Sequence, residues 1–324
     1  METSEAKLLL KSLLGRLEKA ANGFLLPGGK LSSDEVAAIA LISGIEREVL
    51  AGRRLSLSAF ERVGPPEVHL RMCLDFGTAM SKAWATGRNS EETVPLLIGR
   101  PAEIGDVLAV PSSIYIAENG RIYIGLNAER QHRDSVRPGR ARFDNLKRVL
   151  SEEPVGSDLY SLPLRKGIDP TDSGLSPGHL LVLYLAWLTD MAEKALSEAV
   201  TATAGAFDAQ ADLRAVVRRY AIPCLEDAED DRGRGKERAL WAREIMTDAV
   251  LRAQVLADTL SGSWANLSTA QLLPLMEELL ALDVGPLRGI LAREPEIREP
   301  QVRLDLMRRS TLAKSQWTNR SGDC

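Results

Sequence analysis

From Val68 to Ala85 the chain alternates apolar side chains with others, stops at Asp75-Phe76-Gly77-Thr78, and then resumes. Val68, Leu70, Met72 and Leu74 mark one face of a strand, and Ser81 to Ala85 reads as its return. The fold therefore has to accommodate a strand that ends on a carboxylate and turns back through a Gly-Thr pair. Two readings of that tip are open from these four residues. One is an ordinary hairpin with a polar end. The other is a phosphate-side turn, in which backbone N–H groups face anionic oxygens and Asp75 holds the water shell of a metal ion.

The segments that follow add context in a fixed order. Val110-Pro111-Ser112-Ser113-Ile114-Tyr115-Ile116 reads as a strand, Asn119-Gly120 as a tight hairpin turn, and Ile122-Tyr123-Ile124-Gly125-Leu126-Asn127-Ala128 as a second strand running into a helix. Phe143-Asp144-Asn145-Leu146-Lys147-Arg148-Val149-Leu150 reads as a short helix, Ser176 to Glu198 as a long one, and Val216 to Pro223 as a strand ending in proline. Asp75-Phe76-Gly77-Thr78 resembles the first phosphate motif of the actin-like ATPase superfamily. The later segments resemble, in order, the corresponding pieces of its seventy-kilodalton heat-shock chaperone branch. The resemblance covers roughly Val68 to Asp231, about half of the chain.

The resemblance implies a mixed-sheet α/β fold, the ribonuclease H-like first lobe of an actin-like ATPase, with ATP and magnesium as cofactors. Asp75 would lie near the metal and its waters. Backbone N–H groups of Gly77, Thr78 and Ala79 would face the phosphates. Lys147 would reach the γ-phosphate, where a point positive charge offsets developing negative charge. Glu299, in Glu299-Pro300, would orient the metal-bound water, although Glu294-Pro295 competes for that place. The family usually carries a second threonine where Ala79 stands, so a hydroxyl is missing and the backbone donor is kept. Lys82, on the returning strand, is given no role.

Composition bounds the alternatives. The chain has 324 residues, 44% hydrophobic and 27% charged, enough for two compact units. A net charge of −4 gives no general attraction to nucleic acid or to an anionic membrane. Cys73, Cys224 and Cys324 are far apart and form no C-x-x-C, so neither a disulfide framework nor a zinc site is expected. His69, His132 and His179 are not at metal-ligand spacing either. The acidic start, Met1-Glu2-Thr3-Ser4-Glu5, is unlike a secretion signal. The longest apolar run, Leu180 to Leu188, falls well short of the ~20 residues of a membrane span. A cytoplasmic protein with no nucleic-acid or membrane partner is expected.

Four segments are expected. Residues 1–66 read as a helical extension, with a leucine stripe at Leu8, Leu9, Leu10, Leu13, Leu14 and Leu17 and a second helix capped by Ser32 and Glu35. Residues 67–230 form the α/β lobe, with strands near 68–75, 80–86, 93–98, 112–117, 121–125 and 214–222, and helices near 126–132, 143–150 and 178–199. In the last helix Leu181, Tyr184, Leu185, Leu188, Met191, Ala192 and Ala195 form one apolar side. Residues 231–300 read as a helical insertion and a return strand, and 301–324 as an irregular, net basic tail. The extension and the insertion are departures from the chaperone pattern.

The glycine-rich second phosphate loop and the adenosine-binding glycine segment of that superfamily do not occur in this sequence. The expectation is therefore an incomplete or degenerate chaperone-like ATPase that binds Mg-ATP weakly or not at all, an interrupted form of a longer protein broken shortly after Glu299-Pro300. Two alternatives stand beside it. One is a non-catalytic module in which the helical segments bind a client or partner protein. The other is a fragment of a sugar-kinase-like phosphotransferase, against which the Phe143 to Arg148 segment speaks. Oligomeric state is not legible in the sequence.

Overall fold

The computed structural model describes residues 55, 70–87, 93–99, 108–135, 137–144, 146–202, 216–223, 234–285 and 301–305. The helical extension expected over 1–66, apart from Leu55, lies outside the described residues, as do the acidic turn at 224–233 and Glu299.

The described part is a mixed α/β assembly. β1 (Leu70–Asp75) pairs antiparallel with β2 (Met80–Gly87) on one side and parallel with β8 (Val216–Pro223) on the other. β3 (Thr93–Leu96) lies antiparallel along β2, and β9 (Gln301–Asp305) lies parallel to β8. The strand order is β3-β2-β1-β8-β9, with β4 (Ala109–Pro111) also on β2. β3 and β4 share one edge of β2. Ala83 pairs with Leu96, and the next residue along, Lys82, pairs with Ala109. A single edge is thus built from two strands with residues 97–108 between them. A smaller sheet has the order β6-β5-β7, from β5 (Ser113–Ile116), β6 (Ile122–Ile124) and β7 (Phe143–Asp144).

The predicted strands of residues 67–230 are all present, with shifted ends. The stretch Val110 to Ile116, read as one strand, is split at Ser112, so that β4 serves the large sheet and β5 the small one. β5 and β6 meet through the Asn119-Gly120 turn, where the Gly120 N–H donates to the Ala117 carbonyl at 2.9 Å. Gly125 follows β6 with φ of 63°, and a Cβ there would come within 2.7 Å of the Trp187 ring. Both facts require glycine at the entry to α1 (Leu126–Asp134).

The predicted helix at 143–150 is a correction. Phe143 and Asp144 are instead a strand on β5, and only α2 (Arg148–Glu152) is helical. Ser113 Oγ donates to Asp144 Oδ1 at 2.5 Å, so a cross-strand partner holds the first residues away from helical geometry. Lys147 sits at the N-cap of α2 rather than within a helix.

α3 (Pro177–Ala202) carries the core. Leu180, Leu181, Val182, Leu183, Tyr184, Leu185, Ala186 and Leu188 are all buried. Burial thus wraps the helix instead of following the predicted one-sided stripe. The reason is that α3 packs on the sheet and also on α4 (Arg234–Leu260), a helix apolar enough at Trp241, Met246, Val250 and Leu256 to cover its other side. α5 (Thr269–Ala281) opens with a capping box between Ser268 and Gln271 and packs on α4. Buried polar ties join these layers. Arg218 of β8 pairs with Glu193 of α3 and donates to Gln254 Oε1 of α4 at 3.1 Å. Tyr220 and Thr189 share a hydrogen bond of 2.7 Å. Gln301–Asp305, expected to open an irregular tail, forms β9. Among the described residues no helix is long and apolar enough to cross a membrane.

Candidate functional site

The tip of the β1–β2 hairpin lies where β1 and β8 end, and parallel strands leave their carboxyl ends as a natural ligand crevice. Asp75 closes β1, opposite Lys82 on β2 and beside Ala221 on β8. The Phe76 N–H donates to the Ala221 carbonyl at 3.3 Å. The Gly77 N–H donates to the Asp75 carbonyl at 3.1 Å, which makes the first bend a three-residue turn. A Cβ on Gly77 would sit 1.8 Å from the Met80 carbonyl oxygen. The chain can double back this tightly only because residue 77 has no side chain. Gly77 is half-buried, and Thr78 and Ala79 are exposed at the tip. Of the three predicted backbone donors, then, Gly77 is engaged internally and the other two residues form the presented part.

Ser112 holds the turn from beneath. Its hydroxyl donates to the Gly77 carbonyl at 2.9 Å, and its N–H donates to the Ala79 carbonyl at 2.8 Å. Ser81 Oγ lies 2.9 Å from Ser112 Oγ. The Tyr184 hydroxyl donates to the Pro111 carbonyl at 3.1 Å, fixing the neighbouring backbone from α3.

Phe76 connects the turn to the core and to Lys147. Its ring is fully buried, 5.6 Å from the Tyr184 ring. On it rests the Lys147 ammonium, 5.0 Å from the ring centroid. Lys147 is only 4% exposed, and its Nζ is buried with no hydrogen-bond partner. Burial pushes the Lys147 pKa down to about 7, with the Asp75 charge acting in the opposite direction. The fold has therefore brought together the acidic strand end, its Gly-Thr turn and the lysine, which are remote in sequence. An unpaired buried ammonium beside a carboxylate strand end is a site that gains from an anion, because the anion supplies the missing hydrogen bonds.

Sequence reasoning missed the supporting side chains. Phe76 stands within the motif without a predicted role, and Ser81, Ser112 and Tyr184 read only as parts of two strands and of the apolar side of the long helix, not as supports of the turn. The only local signal for Ser112 was its place after Pro111. Its pairing with Ser81 depends on the β2–β4 register. A separate cavity of about 240 Å³, lined by Tyr123, Trp187 and Trp264 among others, contains none of the predicted site residues. Among the described residues no cluster of three or more metal-ligating side chains occurs, so a metal here would rest on Asp75, waters and the ligand's own oxygens.

No family model matches the chain, and no curated protein matches it either.

Proposed function

We propose that the β1–β2 turn, Asp75 and Lys147 form one half of a magnesium-nucleotide site, with ATP as the ligand, in a chaperone-like protein of the actin-like ATPase kind. The observation that carries this reading is the Lys147 ammonium, buried and unpartnered next to the Asp75-Phe76-Gly77 turn. A lysine with no ligand to meet would reach solvent or a carboxylate at little cost, and this one does neither. The mixed sheet supports the same reading. An antiparallel β3-β2-β1 edge continuing into parallel β8 and β9 is the arrangement that a ribonuclease H-like lobe is built on.

The residues fit the group. The orphaned Nζ is a donor set for a phosphate oxygen, and a single carboxylate suits magnesium, which keeps most of its waters. Magnesium, when bound, neutralises phosphate charge and orients water. The chain's own part is to hold and to orient. Asp75 would hold the metal's waters at the strand end, Thr78 and Ala79 would present backbone donors, and Lys147 would supply a positive charge from a dry side once a bound anion raises its lowered pKa.

Calorimetric titration with Mg-ATP tests the reading. Magnesium-dependent heat that saturates near the millimolar range, about 4 kcal/mol of binding, is expected. No heat up to about ten times that concentration would remove the nucleotide assignment and leave the partner-binding reading.

A further inference from the structure

Ser112 and Ser81 are both fully buried, far from any need for surface polarity. A hydroxyl carries one proton. The Ser112 proton goes to the Gly77 carbonyl at 2.9 Å, so the 2.9 Å contact with Ser81 must run from the Ser81 hydroxyl to the Ser112 oxygen. The chain of donation is therefore directional, Ser81 to Ser112 to Gly77. The Ser112 N–H also holds the Ala79 carbonyl at 2.8 Å, so the residue grips the turn at both ends of Thr78.

The grip has a geometric consequence. The described residues contain no cis peptide bond, so the Gly77 carbonyl and the Thr78 N–H belong to one planar trans unit and point in opposite directions. A Gly77 carbonyl drawn inward by Ser112 sends the Thr78 N–H outward, at the exposed tip of the turn.

We propose that Ser112 is the positioning residue of this turn, aiming the Thr78 N–H at the place where a phosphate oxygen is received. The identity of that anion rests on the nucleotide reading above, whereas the aim of the N–H does not. Without the hydroxyl, the Gly77 carbonyl loses the hydrogen bond that draws it inward, and the Thr78 N–H loses the contact that sets its direction. Preorganisation of this kind lowers the ordering cost of binding, so it shows in affinity as well as in local order.

The test is ¹⁵N relaxation of the full chain without ligand, followed by Mg-ATP titration of the same samples, for the wild type, Ser112→Ala, Ser112→Thr and Ser81→Ala. In the wild type the Thr78 amide should have an order parameter of about 0.85, falling below about 0.6 in Ser112→Ala while amides of α3 keep their values. Ser112→Thr, which keeps the hydroxyl, should restore the order. Mg-ATP affinity should fall about tenfold in Ser112→Ala and return in Ser112→Thr. A Thr78 amide that is already mobile in the wild type, or equally ordered in Ser112→Ala, would overturn the proposal. If Ser112→Ala does not fold, Ser81→Ala removes the donor that fixes the Ser112 rotor. A smaller loss of order at Thr78 is then expected, and no loss would overturn the proposal. Failure of the wild type to bind Mg-ATP would overturn the nucleotide reading alone, because the relaxation arm uses no ligand.

Discussion

The Lys147 ammonium stands 5.0 Å over the centre of the Phe76 ring, in the protein interior and without a hydrogen bond. A cation–π contact of this kind is worth about 0.5–2 kcal/mol. Burying an ammionium group without partners costs more than that, which is why its pKa falls to about 7. The arrangement is a local conflict, and conflicts of this sort concentrate where a protein binds something.

Lys147→Met should therefore stabilise the chain. Methionine keeps the stem against Phe76 and removes the polar end. A gain of about 1–3 kcal/mol is expected, read as a higher urea midpoint with an unchanged slope. A lower midpoint would mean that the ammonium has a structural partner and is not a vacant donor.

Much of this hairpin was legible in the sequence, and the reason is local. The alternation of Leu70, Met72 and Leu74 about Asp75 carries its own register, and Gly77 marks the only residue that tolerates the Met80 carbonyl. Other parts depended on partners distant in the chain. Phe143 and Asp144 lead toward α2 in the sequence, yet β5 and the Ser113 hydroxyl draw them into a strand. The apolar side predicted for α3 was too narrow because α4, packed against it, buries the rest. β9 at Gln301–Asp305 alternates at Val302 and Leu304, a pattern too short to set a strand apart from an irregular tail, and its pairing comes from β8. The Ser81–Ser112 contact exists only through the β2–β4 register, which no local pattern encodes.

Gly77→Ala should be severely destabilising. Its Cβ would meet backbone at 1.8 Å, and backbone cannot rotate out of the way as a side chain can. A loss of roughly 3 kcal/mol or more, or failure of the hairpin to form, is expected in thermal denaturation. A loss below about 1 kcal/mol would show that the turn has another conformation available.

His179 makes stability depend on pH. Its Nδ1 accepts the Ser176 N–H at 3.1 Å, so the ring holds its proton on Nε2, which is buried without a partner. Burial lowers its pKa from 6.5, and Asp158 opposes the shift. Tyr160 packs on the ring at 5.8 Å and donates to Asp248, which is paired with Arg252. The unfolded chain takes up the proton first, so the contribution is complete above the unfolded pKa and is lost as pH falls below it. Urea melts at about pH 7.5 and 5.5 should show the wild type losing more stability than His179→Asn, which offers an acceptor and does not titrate. Equal losses would refute the assignment.

Arg218, which is buried, and Glu193, whose side chain is 30% exposed, form a pair that should respond asymmetrically. Glu193→Ala leaves the guanidinium short of its counter-charge and should cost about 3–5 kcal/mol. Arg218→Met, which replaces the charge by an apolar stem, should cost much less, under about 2 kcal/mol. Chemical denaturation of both variants measures the difference, and equal costs would contradict it.

The central claim is that Asp75, the turn and Lys147 act on one ligand. Parallel Mg-ATP titrations of the wild type, Asp75→Ala, Lys147→Met and Ala79→Thr test it most directly. The expected result is weak, magnesium-dependent binding by the wild type, none by Asp75→Ala or Lys147→Met although both remain folded, and equal or tighter binding by Ala79→Thr. Equal binding by all four proteins, or binding that ignores magnesium, would contradict the account.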